Sequence, residues 1–201
     1  QEGDVETGGA LADAARREVH AVGRQPFDGL RQVELAGAGV SSPGPLDTPA
    51  GVALGIPTIA GFAGYPMREE IGRRLSLPVA LENDGIAAAI GEWKFGAGRG
   101  RDNLVYVTVS TGIGGGVIAD GRVLRGRRGM AGHVGHMSFM QDGELCVCGG
   151  RGCFEAYGSG SALAQRARAA AQDDPSSSLN GSGQISSEDV FAAAAKGDRL
   201  A

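Results

Sequence analysis

Along the first part of the chain, apolar residues Leu11, Ala15, Val19 and Val22 recur at helical spacing and predict an amphipathic helix over residues 11–22. Residues 33–40 alternate like a strand and run into Ser41-Ser42-Pro43-Gly44-Pro45, a turn by composition. A second helix is predicted over residues 66–75, with a proline near its start, and a short strand over residues 78–81. Helix and strand in alternation predict an α/β unit with parallel pairing. Glu82-Asn83-Asp84-Gly85 closes that strand, and residues 86–93 read as a helix. Residues 104–109 alternate strongly and open a meander: a strand, a glycine turn, Val117-Ile118, then a hairpin turn at Asp120-Gly121. Residues 161–171 predict an Ala-rich helix, residues 173–187 a mobile Ser/Gly/Asp-rich loop, and residues 189–196 a last short helix. No repeat of about 20–50 residues is visible. A lobe boundary is expected between Leu81 and Asn103.

Composition narrows the class. The 201 residues are 42% hydrophobic, enough for a real core. The 19 basic and 23 acidic residues leave a net charge of −4, so there is no general nucleic-acid footprint. Apolar runs fall short of the roughly 18 residues a membrane helix needs, and the polar, acidic start is unlike a signal peptide. The expected location is the cytoplasm, with no membrane partner. The 36 glycines lack a collagen period and point to several tight turns.

Cys146, Cys148 and Cys153 crowd into eight positions, which argues for a metal site over a disulfide framework. Gly149, Gly150 and Gly152 allow a tight knuckle, and His136 lies ten residues upstream as a fourth ligand. Three thiolates and one imidazole fill a tetrahedral shell, so the expected ion is a structural Zn2+. The plainer alternative is three small buried or oxidisable cysteines.

Three further features carry chemistry only in combination. Thr111, Gly112, Gly114, Gly115 and Gly116 sit between two strands, where successive N–H groups can cradle phosphate; the alternative is an ordinary hairpin. The pattern is neither a Walker loop nor a dinucleotide fingerprint. Asp84 stands where a strand meets a helix, as a cap or as a general base for an attacking hydroxyl. His133 and His136 precede the knuckle and Glu155 follows it, so His136 can offer one ring nitrogen to zinc and the other to a sugar hydroxyl. Arg125, Arg127 and Arg128 read as a solvated loop, or as phosphate contacts if ATP lies near.

Together these residues resemble the ROK family of sugar kinases and repressors over about residues 33–163. Glu82-Asn83-Asp84 is similar to the family's Glu-Asn-Asp stretch, whose Asp is the catalytic base. Residues 111–116 resemble its second phosphate loop, His136 with the three cysteines its zinc signature, and Glu155 a sugar-binding Glu. The segment from Ser42 to Asp47, with Gly44 at its centre, resembles the stretch near the sugar. Most family kinases carry Glu where this chain has His133, and Gly132-His133-Val134-Gly135-His136 resembles bacterial N-acetylmannosamine kinases.

The resemblance implies a bilobal α/β fold of the actin-like ATPase (ribonuclease-H-like) type. Residues 1–83 would belong to the N-terminal lobe and residues 84–201 to the larger lobe. It implies ATP with Mg2+ as phosphoryl donor and Asp84 as base. Asn83, Asp84, His133, His136, Glu155 and Gly44 would be sugar contacts, in a homodimer. The expected acceptor is N-acetylmannosamine; glucokinase, N-acetylglucosamine kinase and a sugar-sensing repressor core are the alternatives. Nucleic acid would be a partner only if a DNA-binding domain precedes Gln1. The family's Asp-x-Gly-Gly-Thr loop and adenine-side C-terminal segment are not in these residues, so a chain truncated at both ends is expected, one that by itself would be inactive if those parts are indispensable.

Overall fold

A computed structural model describes residues 35–55, 59–127 and 129–201. The helix expected over residues 11–22 and the side chain of Arg128 lie outside the described residues. The chain divides into two compact units, Gln1–Asn83 and Asp84–Ala201.

In the first unit, β1 (Ala38–Ser42) pairs in parallel with β4 (Val79–Asn83), from Ala38 opposite Val79 to Ser42 opposite Asn83. The short strands β2 (Leu46–Asp47) and β3 (Val52–Ala53) form an antiparallel pair, and α1 (Met67–Leu75) precedes β4. Both long strands are displaced from the sequence expectation. β1 begins at Ala38 and takes in Ser41 and Ser42, because the parallel ladder to Glu82 and Asn83 outweighs their turn preference. α1 has Glu69 and Glu70 in its first turn and Arg73 and Arg74 in its last, matching the helix dipole, and Ser76 ends it in the left-handed region at φ 54°. Leu46, Ala53, Met67 and Leu81 form the core. The Arg68 guanidinium donates to the Thr48 and Pro49 carbonyls and ties that loop to α1.

The second unit opens with α2 (Asp84–Phe95) and continues with an antiparallel sheet in the order β5 (Leu104–Val109), β6 (Ile113–Ala119), β7 (Arg122–Val123). Asp120 and Gly121 turn the second hairpin with φ of 50° and 66°, as a two-residue primed turn requires. α2 packs across β5 and β6, where Ile86 and Ile118 are completely buried. A 3-10 turn (Val134–His136), α3 (Glu155–Gly158), α4 (Gly160–Gln172) and α5 (Ser187–Ala195) complete the unit. Ala167, Ala171, Leu179, Ile185, Val190 and Ala193 form a second core between α4 and α5. The segment expected as a mobile loop is irregular but anchored: Leu179 and Ile185 are buried, and the Asp198 carboxylate accepts from Ser177 and Ser178. Among the described residues no helix is long and apolar enough to cross a membrane.

Candidate functional site

The glycine-rich stretch is where the structure departs most from the sequence reading. Gly114, Gly115 and Gly116 are not part of a turn: they pair with Thr108, Val107 and Tyr106 inside β6. Their visible role is close approach. A Cβ on Gly116 would lie 2.5 Å from the Cβ of Ala89 and 3.0 Å from the Cα of Ile86, and one on Gly85 would lie 2.7 Å from the Gly115 backbone. A Cβ on Gly132 would lie 2.9 Å from the Gly115 carbonyl oxygen, and one on Gly135 would collide with the Ile113 carbonyl. The start of α2 and the segment from Gly132 to Gly135 are thus both pressed onto one bare strand, which brings Asp84 and His133 to neighbouring backbone. Thr111 and Gly112 remain as the turn itself, with the Ser110 N–H bonded to the Gly112 carbonyl at 2.9 Å.

Asp84 is exposed in the first turn of α2, its Oδ1 accepting from the Gly85 N–H at 2.8 Å. Asn83, the last residue of β4, is buried. Gly44 is half-buried ahead of β2, joined to Pro45 by a cis peptide. His133 Nδ1 lies 3.0 Å from the Met130 carbonyl oxygen, an acceptor only, so Nδ1 carries a proton and the neutral ring would present its lone pair on Nε2. The His133 and His136 rings are 6.3 Å apart.

His136, Cys146, Cys148 and Cys153 place their ligand atoms within 4.8 Å of one another. Cys148 Sγ and Cys153 Sγ are 3.6 Å apart, as are Cys146 Sγ and His136 Nδ1. Tetrahedral zinc with its usual bond lengths requires roughly 3.8 Å between sulfurs and roughly 3.6 Å from sulfur to nitrogen, so the donor set fits the ion. The left-handed φ of Gly149 (85°) and Gly152 (70°) folds the knuckle back, and Cys146 bonds across it to the Gly150 carbonyl. Burial pushes the Cys153 thiol up to about 12, whereas the Gly150 N–H holds Cys148 below the ordinary thiol range. A cation held by this set would supply the charge that lets all three sulfurs ionise. If Nδ1 held a metal ion there, Nε2 of His136 would be left to carry the proton and act as a donor.

Glu155, the first residue of α3, is half-buried, and its Oε2 accepts from the Ile113 N–H at 2.7 Å. A cavity of about 480 Å³ lies beside the turn, lined by Ser110, Thr111, Ser159, Gly160, Ser187 and Phe191. Here the Gly160 N–H donates to the Ser110 carbonyl at 2.8 Å, and Ser159 caps α4 through the Ala162 N–H. Sequence reasoning missed this cavity; the Ser159-Gly160-Ser161 run ahead of an Ala-rich helix was the signal for its cap. Arg125 and Arg127 are exposed.

The pattern that defines the ROK family matches residues 27–201. The chain belongs to the ROK family. It has the family's mixed α/β fold, of the actin- and hexokinase-like ATPase type. It is similar to a glucokinase of Streptomyces coelicolor, 39% identical over 142 residues, which are 71% of this chain and 44% of the relative. An N-acetylmannosamine kinase of Yersinia pestis is 42% identical over 131 residues, 65% of this chain and 43% of the relative. Among solved structures, a ROK hexokinase from Thermus thermophilus superposes with a TM-score of 0.72 at 38% identity, over 98% of this chain and 59% of that one. A ROK family transcriptional regulator homologous to the E. coli MLC protein gives 0.73 at 31% identity, over 94% of this chain and 46% of that one. The chain therefore spans less than half the length of these two curated relatives.

Proposed function

We propose that the protein carrying this chain transfers the γ-phosphoryl group of ATP to the 6-hydroxyl of a hexose or N-acetylhexosamine, with N-acetylmannosamine as its acceptor. The observation that carries the reading is Asp84: an exposed carboxylate whose neighbour Gly85 seats it against β6, the strand leading out of the turn at Thr111 and Gly112. The units of residues 1–83 and 84–201 would then be parts of the family's two lobes.

In this reading the sugar hydroxyl gives its proton to Asp84 as its oxygen attacks the γ-phosphorus. The bond to the bridging oxygen breaks, and ADP leaves. One Asp84 oxygen is engaged by the Gly85 N–H, which orients the other toward the hydroxyl. Asn83, Gly44, His133, His136 and Glu155 contact the sugar. His133 accepts with a single lone pair where a carboxylate would accept several bonds, and that difference favours an acceptor other than glucose. Thr111 and Gly112 hold phosphate oxygens, the serine-lined cavity takes the rest of the nucleotide, and magnesium arriving with ATP offsets its charge. Zinc, held by His136, Cys146, Cys148 and Cys153, fixes the His136 ring and supplies no chemistry of its own.

The test is ADP release by the full-length protein with N-acetylmannosamine, N-acetylglucosamine and glucose. Highest kcat/KM on N-acetylmannosamine is expected, and a clear preference for glucose overturns the sugar assignment. Asp84→Asn should keep sugar affinity and lose turnover by about 10²–10⁴-fold; near-normal turnover would remove Asp84 as the base. The similarity to the regulator favours a second reading, a sugar-sensing repressor. That reading predicts sugar and operator DNA binding by the full-length protein with no ADP release.

A further inference from the structure

Glu155 follows the last zinc ligand by two residues, and by resemblance it belongs to the sugar. Its one hydrogen-bonded side-chain oxygen faces elsewhere: Oε2 accepts from the backbone N–H of Ile113, at the exit of the turn, 42 residues away in sequence. The turn is shaped to receive it, since a Cβ on Gly112 would lie 2.7 Å from that oxygen. Oε1 has no hydrogen-bond partner among the described residues. Ile113 is itself buried, and a Cβ on Gly158, the end of α3, would lie 3.3 Å from its Cδ1. From the far side, the Gly160 and Ser161 N–H groups bond the Ser110 and Thr111 carbonyls.

We propose that Glu155 is a positioning residue for the nucleotide, its Oε2 clamping the phosphate turn at Ile113 while its Oε1 meets the sugar. This rests on the kinase reading above. One carboxylate, anchored next to the zinc knuckle, then serves both substrates through different oxygens. A glutamine at this position still has a carbonyl oxygen to accept from Ile113, but its NH2 group cannot accept from a sugar hydroxyl. An alanine loses both contacts.

The experiment uses the full-length protein with Glu155→Ala and Glu155→Gln. It measures ADP affinity without sugar, both KM values, zinc content, and amide hydrogen exchange at Ile113. Glu155→Ala should weaken ADP binding about tenfold, the scale of one charge-assisted hydrogen bond. It should also raise both KM values and deprotect the Ile113 amide, with zinc retained. Glu155→Gln should bring ADP affinity back to within about twofold of wild type and keep Ile113 protected, while the sugar KM stays raised. Wild-type ADP affinity in Glu155→Ala overturns the proposal, leaving a sugar contact alone; equal ADP loss in both variants overturns it too. If the wild-type protein binds no nucleotide, the kinase reading fails instead. Ile113 exchange then still decides whether the clamp exists, and an unchanged amide in Glu155→Ala sinks it.

Discussion

Gly116→Ala separates the two roles that the glycines after the turn could have. Optimal carbon–carbon separation is roughly 3.5–4.0 Å. The new methyl would meet Ala89 Cβ at 2.5 Å, so it is about 1 Å too close. Ile86 Cα at 3.0 Å and the Gly85 oxygen at 3.1 Å are backbone of α2 and cannot rotate aside. The helix must therefore lift from the sheet, at a cost of about 1–3 kcal/mol for overpacking. At about 3 °C per kcal/mol for a domain of this size, thermal unfolding should shift down by roughly 3–9 °C. Asp84 rides on the same end of α2, and a displacement of about 1 Å in a catalytic group can lower turnover about a hundredfold. The alanine keeps its N–H, so a phosphate-cradling role alone predicts an unchanged melting temperature. Adding Ala89→Gly removes the nearest clash but not the contacts to Ile86 and Gly85, so it should restore only part of the loss. Differential scanning fluorimetry and an ADP-release assay on the full-length protein measure both effects. A variant melting within about 1 °C of wild type and turning over normally would refute the seating of α2 on β6.

Elemental analysis of the purified protein should find about one zinc per chain, and Cys148→Ser should lose most of it; a fully loaded serine variant would remove Cys148 from the ligand set. The Ser178 hydroxyl, with the Ser178 and Leu200 N–H groups, holds the Asp198 carboxyl well below its ordinary range. Because the folded value is lowered, its contribution to stability is fully present above about pH 4 and is lost progressively below that, as pH falls toward and through the lowered folded value. The protection factor of the Ser178 amide, its exchange relative to the unstructured rate at the same pH, should fall in strong acid in the wild type and be low at all pH values in Asp198→Ala; an acid-insensitive protection factor in the wild type would count against the clamp.

Much of this arrangement could be read from the chain, and the failures share a cause. The β5 strand, the helix α2 packed on the sheet and the Asp120-Gly121 turn follow from local periodicity and turn chemistry. The cluster of His136 with the three cysteines follows from spacing, because cysteines so close together have few other uses in a chain of this kind. The run from Gly114 to Gly116 reads as a turn since glycine is a poor strand former. It is strand because α2 and the Gly132–His136 segment need a surface without side chains, a tertiary demand that no window of sequence contains. The bond from Glu155 to Ile113 is invisible for the same reason: it joins a residue singled out by family resemblance to one that looks like ordinary core. Likewise Ser41 and Ser42 become strand only through their parallel partners Glu82 and Asn83.

Two unusual features of the second unit then answer one requirement, rigid placement of a few polar groups in a region with little core of its own. Mid-strand glycines weaken β6 by about 0.5–1 kcal/mol each through chain entropy. The close approach they permit buries Ile86 and Ile118 completely, which offsets that loss and fixes the start of α2 beneath Asp84. Between His136 and Cys153 the chain packs little apolar surface: Met137, Leu145 and Val147 are 65%, 66% and 87% exposed. Burial cannot hold His136 and Glu155 there, and a four-ligand metal cross-link can, since binding such an ion is itself folding free energy. The prediction that follows joins the two ends of the unit. Chelation of zinc should deprotect Ile113, on the sheet, through Glu155, while Ile118, five residues along the same strand and packed against α2, stays protected. Equal exchange at both amides after chelation would mean the knuckle and the strand unfold together, and the carboxylate would not be the link between them.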